Sequence, residues 1–368
     1  MTLVVEARAP GKLVLLGEYA VRHGAPALVL ATQRSVRVRI SPGNRGVASV
    51  NAPDMGVFAA RFAWQPGAKP VDQDGAARSL PLVGSVLDWI LTTLHARGHT
   101  LSGGAVIDID TTAFVHPTRG KLGLGSSAAL TVALVAGLSG FVCGERRSLN
   151  RRQIFADAFN AHAHAQGKAG SGIDVAASVH GGLGEFRRHP RQPLPDHTRL
   201  SMRRFAKAPP WLTVFSGVPA STPRLLGTVD GWAQRSNANR ALHDTWMATM
   251  ARTSEHGIAC LRRGDLSGFA TAAAAYGQHM THLGDDAGAD IASMAHRRIG
   301  DLVRAVGGVY KPSGAGGGDL GLVICQSFRD LRRVHGALSR ACLHVVPITI
   351  AAEGVGLAFR ASPRPLWR

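Results

Sequence analysis

The chain has 368 residues, room for about two domains of ordinary size, and its 45% hydrophobic and 18% charged content excludes disordered, collagenous and glutamine-rich classes. A formal net charge of +18 raises the question of a nucleic-acid partner, but the arginines are scattered and aromatics are only 6%, so the cation stripe with interleaved rings is missing. The charge reads as a solvated surface whose field also draws small polyanions, and no nucleic-acid partner is expected.

In chain order, "LVVEAR" (3–8), "KLVLLGEY" (12–19) and the strictly alternating "SVRVRI" (35–40) read as strands. Residues 41–80 are rich in Gly, Pro, Asn and Asp and read as loop. A helix follows over 82–96, with Val83, Val86, Leu87, Ile90 and Leu94 on one face. "GAVIDIDT" (104–111) is another alternating strand, and the uncharged run 122–144 opens as a loop and continues as a helix. Its length would allow a membrane span, yet a helix buried on all sides is the better reading, and no membrane partner is expected. Residues 187–210 are dense in proline and arginine and read as a crossover between lobes. Beyond it come a strand (211–217), helices (229–305), a glycine loop running into a buried strand (308–326), a helix (328–339) and closing strands (344–351, 354–360). The irregular alternation implies an α+β fold. Cys143, Cys260, Cys325 and Cys342 form no C-x-x-C pair and read as buried thiols. No charged-then-apolar signal pattern opens the sequence, so a cytoplasmic location is expected.

Three glycine loops each carry a lysine: "APGKLVLLGEYAV" (9–21), "GKLGLGSSAAL" (120–130) and "YKPSGAGGGDLG" (310–321). In the second, Gly123 and Gly125 permit a tight turn, Ser126 and Ser127 are candidate N-caps, and Lys121 adds charge beside a helix start. Together they make a phosphate site. The pattern G-x-x-x-x-G-K-[ST] is absent, because Leu13, Leu122 and Ala169 follow the three Gly-Lys pairs. "GLGSSA" matches a relaxed dinucleotide pattern, with Glu145 beyond it, so an NAD-dependent dehydrogenase is the rival from another class. Against it, the preceding strand ends near Thr111, too far upstream. In the third loop Gly314, Gly316, Gly317 and Gly318 allow close backbone approach, and Lys311 and Ser313 fit a ligand-facing surface. A fourth stretch, "GKAGSGIDVAAS" (167–178), sets Lys168, glycines, Ser171 and Asp174 close together. His162 and His164 read as solvated or core histidines, and Asp108 and Asp110 as surface carboxylates rather than a metal pair.

Taken in this order, "P-G-K-x-x-L-x-G-E", "G-L-G-S-S-A" and "S-G-A-G-G-G" resemble the signature of the GHMP small-molecule kinases, over residues 9–321. Within them the likeness runs to the phosphomevalonate kinases, on "AQGKAGSGIDVAAS" (165–178), "KPSGAGGGD" (311–319), "GEY" (17–19) and "SGVPASTPRLLG" (216–227). The resemblance implies a two-lobe kinase, with a ribosomal-protein-like left-handed βαβ lobe over 1–190 and a ferredoxin-like lobe over 191–368. It implies ATP on Lys121, Gly123, Leu124, Gly125, Ser126, Ser127 and Ala128, with Mg2+ on Ser127. Lys12 and Asp174 take the catalytic roles, and Lys12, Lys168, Ser171, Ser221, Thr222, Ser313 and Gly314 bind the acceptor. The glutamate that many mevalonate kinases offer magnesium has no counterpart in "FNAHAHAQG" (159–167). The implied acceptor is a small phosphorylated molecule, 5-phosphomevalonate, with mevalonate or a sugar as the alternative. The oligomeric state, monomer or homodimer, stays open. A phosphate monoester, with a second pKa near about 6, is largely ionised at neutral pH and needs no base. Lys168 would then hold the acceptor phosphate, while Asp174 orients Lys12 or the metal's water.

Overall fold

The two expected N-terminal strands are one. β1 (Thr2–Leu16) runs antiparallel to β2 (Ala27–Pro42), and register shifts at Pro10/Gly11 and Val14/Leu16 absorb the irregularity without ending the ladder. In β2 the alternation of "SVRVRI" is realised: Val36, Val38 and Ile40 are buried while Arg37 and Arg39 face solvent. The computed structural model describes residues 2–71, 75–116, 120–144, 150–167, 170–188 and 203–362. Lys168, Glu145 and most of the Pro/Arg-rich crossover lie outside the described residues.

Residues 41–80 are not all loop. β3 (Val47–Ala52) and β4 (Val57–Ala63) form a hairpin in which Ala48, Val50 and Ala52 are buried. Alanines are weak strand formers, so the pattern hides behind the loop residues that flank it. Next come α1 (Pro81–Ala96), whose buried face includes the five expected apolar residues, and β5 (Ala105–Asp110), parallel to β3. β6 (Val115–His116) and β7 (Gly120–Lys121) pair only with each other. Then follow α2 (Ser126–Cys143), α3 (Arg151–Gln166), α4 (Ile173–His180), β8 (Leu183–Phe186) and β9 (Arg203–Arg204).

The remaining elements are β10 (Trp211–Phe215), α5 (Thr222–Gln234), α6 (Asn237–Arg263), α7 (Leu266–Ala287), α8 (Met294–Ala305), β11 (Val309–Pro312), β12 (Leu320–Ile324), α9 (Phe328–Arg340), β13 (Val345–Val346) and β14 (Gly356–Ser362). One sheet of eight strands has the order β14-β1-β2-β5-β3-β4, with β8 also on β2 and β9 on β8. β9 and β14 follow residue 190, so this sheet draws strands from both halves of the expected division at 190/191. The second sheet, β11-β12-β10-β13, is antiparallel throughout. Its elements follow as strand, helices, two strands, helix, strand, which is the ferredoxin-like arrangement. This mixed, largely antiparallel topology excludes the dinucleotide reading: the glycines at 123 and 125 follow a two-residue strand of a separate ribbon, not a parallel strand of a βαβ unit.

α2 is long and apolar enough to cross a membrane, and it is mostly buried inside the protein instead. It lies against β1 and β2 and is flanked by α1, α3 and α4. Gly137 and Gly140 explain how it fits: a Cβ at Gly137 would lie 3.0 Å from Ile40 Cδ1 and 3.2 Å from Ala7 Cβ, and one at Gly140 3.0 Å from Leu357 Cδ1. Cys260 and Cys325 are buried as expected, whereas Cys143 is half-buried and Cys342 exposed at a turn. Replacing Gly137 by leucine is expected to overpack this contact and lower stability by about 1–3 kcal/mol, read as a lower urea midpoint.

Candidate active site

The first and second glycine loops are joined by backbone. The N–H of Lys12 donates to the Leu124 carbonyl at 2.8 Å. Gly125, at φ +74°, is the N-cap of α2, and a Cβ there would stand 3.1 Å from Lys12 Cγ, 3.2 Å from Lys12 Cε and 3.7 Å from Asp174 Cβ. Glycine is therefore required twice over, by the left-handed backbone and by the two side chains facing it. Ser126 and Ser127 are not N-caps, contrary to expectation; they are the first residues of α2, whose start has no side-chain cap. Its leading N–H groups, with the positive end of the helix dipole, are left for an anion. Lys121 is exposed on the approach, and Leu124 and Ala128 are buried under the loop.

Ser127 is half-buried, and its Oγ lies 3.3 Å from Nε2 of the buried His162, which also neighbours Gln166 Nε2 at 3.1 Å. His162 thus reaches the loop serine from α3. His164 instead meets Asp88 at 3.2 Å on the exposed side. Among the described residues no group of three or more His, Cys, Asp or Glu is arranged to hold a metal. Asp108 and Asp110 line a cavity of about 520 Å³ that contains none of the loop residues. Each faces an arginine in register, Arg39 and Arg37, and each accepts a hydrogen bond, from Asn51 and from Thr112.

The third loop is locked to the turn just after β1 by a buried ion pair. Lys311 does not face a ligand, as its position in the motif implied; its ammonium is wholly buried and reaches Glu18 Oε1 at 2.5 Å, with side-chain exposures of 0% and 2%. Burial pushes the Lys311 pKa down, and Glu18 opposes that shift. The same Oε1 accepts the Gly314 N–H at 3.3 Å, while Oε2 is buried without a partner among the described residues. Ser313 Oγ donates to the Val14 carbonyl at 3.1 Å, Tyr19 donates to Ala315 O at 2.7 Å and Tyr276 of α7 donates to Glu18 O at 2.6 Å. This stapling brings Gly314 beside Lys12, whose Nζ would lie 3.7 Å from a Cβ at that glycine.

Asp319 ends the loop in a left-handed conformation (φ 55°) and ties three segments together. Its N–H donates to Val218 O at 2.8 Å, its carbonyl accepts from Ser216 N–H at 2.8 Å and its Oδ1 accepts from Ala220 N–H at 3.2 Å. Its Oδ2 lies 2.5 Å from where a Cβ of Gly123 would be, so the third loop closes onto the second. Burial raises the Asp319 pKa, and the Ala220 N–H, Lys12 and Lys121 pull it back. Ser221 and Thr222, at the exposed start of α5, are carried next to this junction.

Asp174 is the second residue of α4, half-buried, behind the left-handed Gly172. Ser178 Oγ of the same helix donates to Pro10 O at 2.7 Å, fixing α4 to the bulge before Lys12. Ser171 Oγ accepts from the Ile173 N–H at 3.4 Å. Lys12, Asp174, Gly123–Ser127, Ser313, Gly314, Ser221 and Thr222 are thus brought together by contact or by adjacent backbone. Sequence reasoning missed the internal role of Lys311 and the contact of His162. The apolar setting of "GVYKP" was the available signal for a buried lysine.

Two outcomes are expected. Glu18→Ala strands the Lys311 charge and destabilises by about 3–5 kcal/mol, whereas Glu18→Gln combined with Lys311→Met, which removes both charges, stays close to wild type in a urea titration. His296 bridges the Tyr310 hydroxyl and Gly318 O at 2.7 and 3.0 Å, and burial pulls its pKa from 6.5 down to about 4; His180 is pulled to about 4 as well, by burial and then by Arg151 and Arg204. The unfolded chain therefore takes up protons that the folded one refuses. Stability is complete above about pH 6.5 and declines as pH falls toward 4, and His296→Asn flattens part of that decline in urea midpoints measured across pH.

Residues 92–182 match the family model for the GHMP kinases N terminal domain. The chain is 31% identical over 377 aligned positions to phosphomevalonate kinase of Streptomyces sp. (strain CL190), spanning 94% of this chain and 97% of the relative. Among solved structures, the Lin0012 protein of Listeria innocua superposes with a TM-score of 0.81 at 20% identity, over 96% of this chain and 99% of that one. Phosphomevalonate kinase of Streptococcus pneumoniae, in complex with phosphomevalonate and AMPPNP, gives 0.74 at 18% identity, over 94% and 99%. These structures share the fold, and the Streptomyces relative shares sequence along nearly its whole length; the chain belongs with phosphomevalonate kinase in the GHMP kinase family.

Proposed function

We propose that the protein is an ATP-dependent kinase that transfers the γ-phosphoryl group of ATP to 5-phosphomevalonate, giving 5-diphosphomevalonate and ADP. The observation that carries the reading is the meeting of Lys12, Asp174, Gly125 and Gly314 in one place, with the uncapped start of α2 beside them. The name of the Streptomyces relative supplies the acceptor.

An acceptor phosphate oxygen attacks Pγ, the bond from Pγ to the bridging oxygen breaks, and ADP leaves with the electron pair. The acceptor is already an anion at neutral pH, so no proton has to be removed. The difficulty is repulsion between two polyanions, and the chain meets it with fixed positive charge. The α2 N–H groups and Lys121 hold the ATP phosphates. Lys12, on the wall formed by Gly125, neutralises the oxygens between donor and acceptor. Asp174, against the same wall, keeps the Lys12 side chain in place. Ser313 and Gly314, engaged by β1, set the path of the third loop, while Ser171, Ser221 and Thr222 border the acceptor side. Lys168 remains part of the proposal as a ligand for the acceptor phosphate.

Magnesium takes one or two protein oxygens, substrate phosphates and water. The Ser127 hydroxyl at the head of α2 fits that modest demand, and the ion, when bound, supplies further charge neutralisation on the ATP phosphates.

The test is ADP release with 5-phosphomevalonate, mevalonate and hexoses offered in turn. Turnover is expected with 5-phosphomevalonate; turnover with mevalonate and none with the phosphorylated acid overturns the assignment. Asp174→Asn is expected to lower kcat by less than about 100-fold, the lower bound for loss of a general base. A larger loss would mean that the acceptor is a hydroxyl.

A further inference from the structure

The buried face of α3 is apolar except for Asp157 and His162. Asp157 is answered by Arg97, which forks onto it at 2.6 and 2.7 Å. His162, 6% exposed, turns to the head of α2 instead. Its Nε2 lies 3.3 Å from Ser127 Oγ and 3.1 Å from Gln166 Nε2, one turn further along α3. No step of the transfer uses this imidazole.

The direction of these hydrogen bonds follows from what each atom can do. An imidazole nitrogen has one in-plane position, filled by a lone pair or by a proton. Gln166 turns its NH2 group to Nε2, so Nε2 accepts and the ring proton sits on Nδ1. Ser127 then donates its single hydroxyl proton to the same nitrogen, and its longer distance is that of an acceptor shared by two donors. A hydroxyl inside a helix ordinarily donates back to the carbonyl four residues earlier, as Thr131 does to Ser127 O at 2.9 Å. Four residues before Ser127 is Gly123, in the loop ahead of α2, and the imidazole takes the proton instead. The hydroxyl rotor is thereby fixed with both oxygen lone pairs unspent.

We propose that His162 is a positioning residue for the nucleotide's cation: by accepting the Ser127 proton it keeps the Ser127 oxygen free to ligate magnesium. The grip on Mg·ATP then depends on His162, and the grip on ATP alone does not. This rests on the kinase reading above. Magnesium takes few protein oxygens, so the orientation of each one counts. A hydrogen-bond partner behind a ligand orients it and raises its basicity.

The experiment titrates the full chain with AMPPNP by calorimetry, once with Mg2+ and once with EDTA, so it needs no turnover. His162→Phe keeps a ring and loses the acceptor. It is expected to weaken Mg·AMPPNP binding by about 3–10-fold, the scale of one neutral hydrogen bond, and to leave metal-free AMPPNP within about twofold. His162→Gln, whose carboxamide oxygen can stand where Nε2 stands, is expected to stay within about twofold of wild type in both conditions. In a Ser127→Ala background His162→Phe is expected to add nothing, because the two act as one unit. His162→Asn, too short to reach Ser127, replaces the phenylalanine variant should that fail to fold. Unchanged Mg·AMPPNP binding, equal weakening with and without Mg2+, an additive loss in the Ser127→Ala background, or a glutamine variant as weak as phenylalanine overturns the positioning role. A wild type that binds AMPPNP in neither condition overturns the kinase reading itself, so the two failures are distinguishable.

Discussion

The geometry of the site depends on one ion pair that no solvent reaches. Glu18 closes the first motif, Lys311 opens the third, and their contact joins a strand end of the eight-stranded sheet to β11 of the smaller one. A buried pair of this kind contributes little net stability, because desolvating both charges offsets their attraction. What it contributes is register. Glu18 Oε1 takes both the ammonium and the Gly314 N–H, so Gly314 is held beside the strand that carries Lys12. The unpaired Oε2 is the residual penalty of that arrangement.

Around this anchor the loops divide the work between backbone and side chain. The second loop has almost no side-chain bulk because its neighbours fill the space: Lys12 and Asp174 against Gly125, Asp319 against Gly123. The serines following it start the helix rather than cap it, leaving the leading amides to a ligand. Positive charge comes from elements far apart in sequence, so the field where two phosphates must meet is a property of the assembled fold.

Much of this was legible before the fold was known. The period-three-and-four face of α1, the alternation of β5 and the buried run of β12 are local signals, and each became the element it implied. The motif order identified the family because three weak patterns in one sequence order are jointly specific. What stayed hidden was non-local. Lys311 looks like a surface lysine until its partner arrives from 293 positions away. The β3–β4 hairpin is built on alanines, whose burial depends on α1 and β5 rather than on their own preference. The segment 344–351 reads as one strand but gives only Val345–Val346 to the second sheet, while Ile350 bridges Thr32 of the first. A chain passing between two sheets cannot pair for long with either.

β14 has a consequence for biosynthesis. It hydrogen-bonds along β1 from Thr2–Ser362 to Arg8–Gly356, so during synthesis β1 waits for a partner far downstream. Until the ribosome has passed residue 362, the outer ladder of β1 is open, an unsatisfied edge of the kind that invites pairing with other nascent chains. A chain stalled upstream of Gly356 keeps that edge open, because β14 is what covers it.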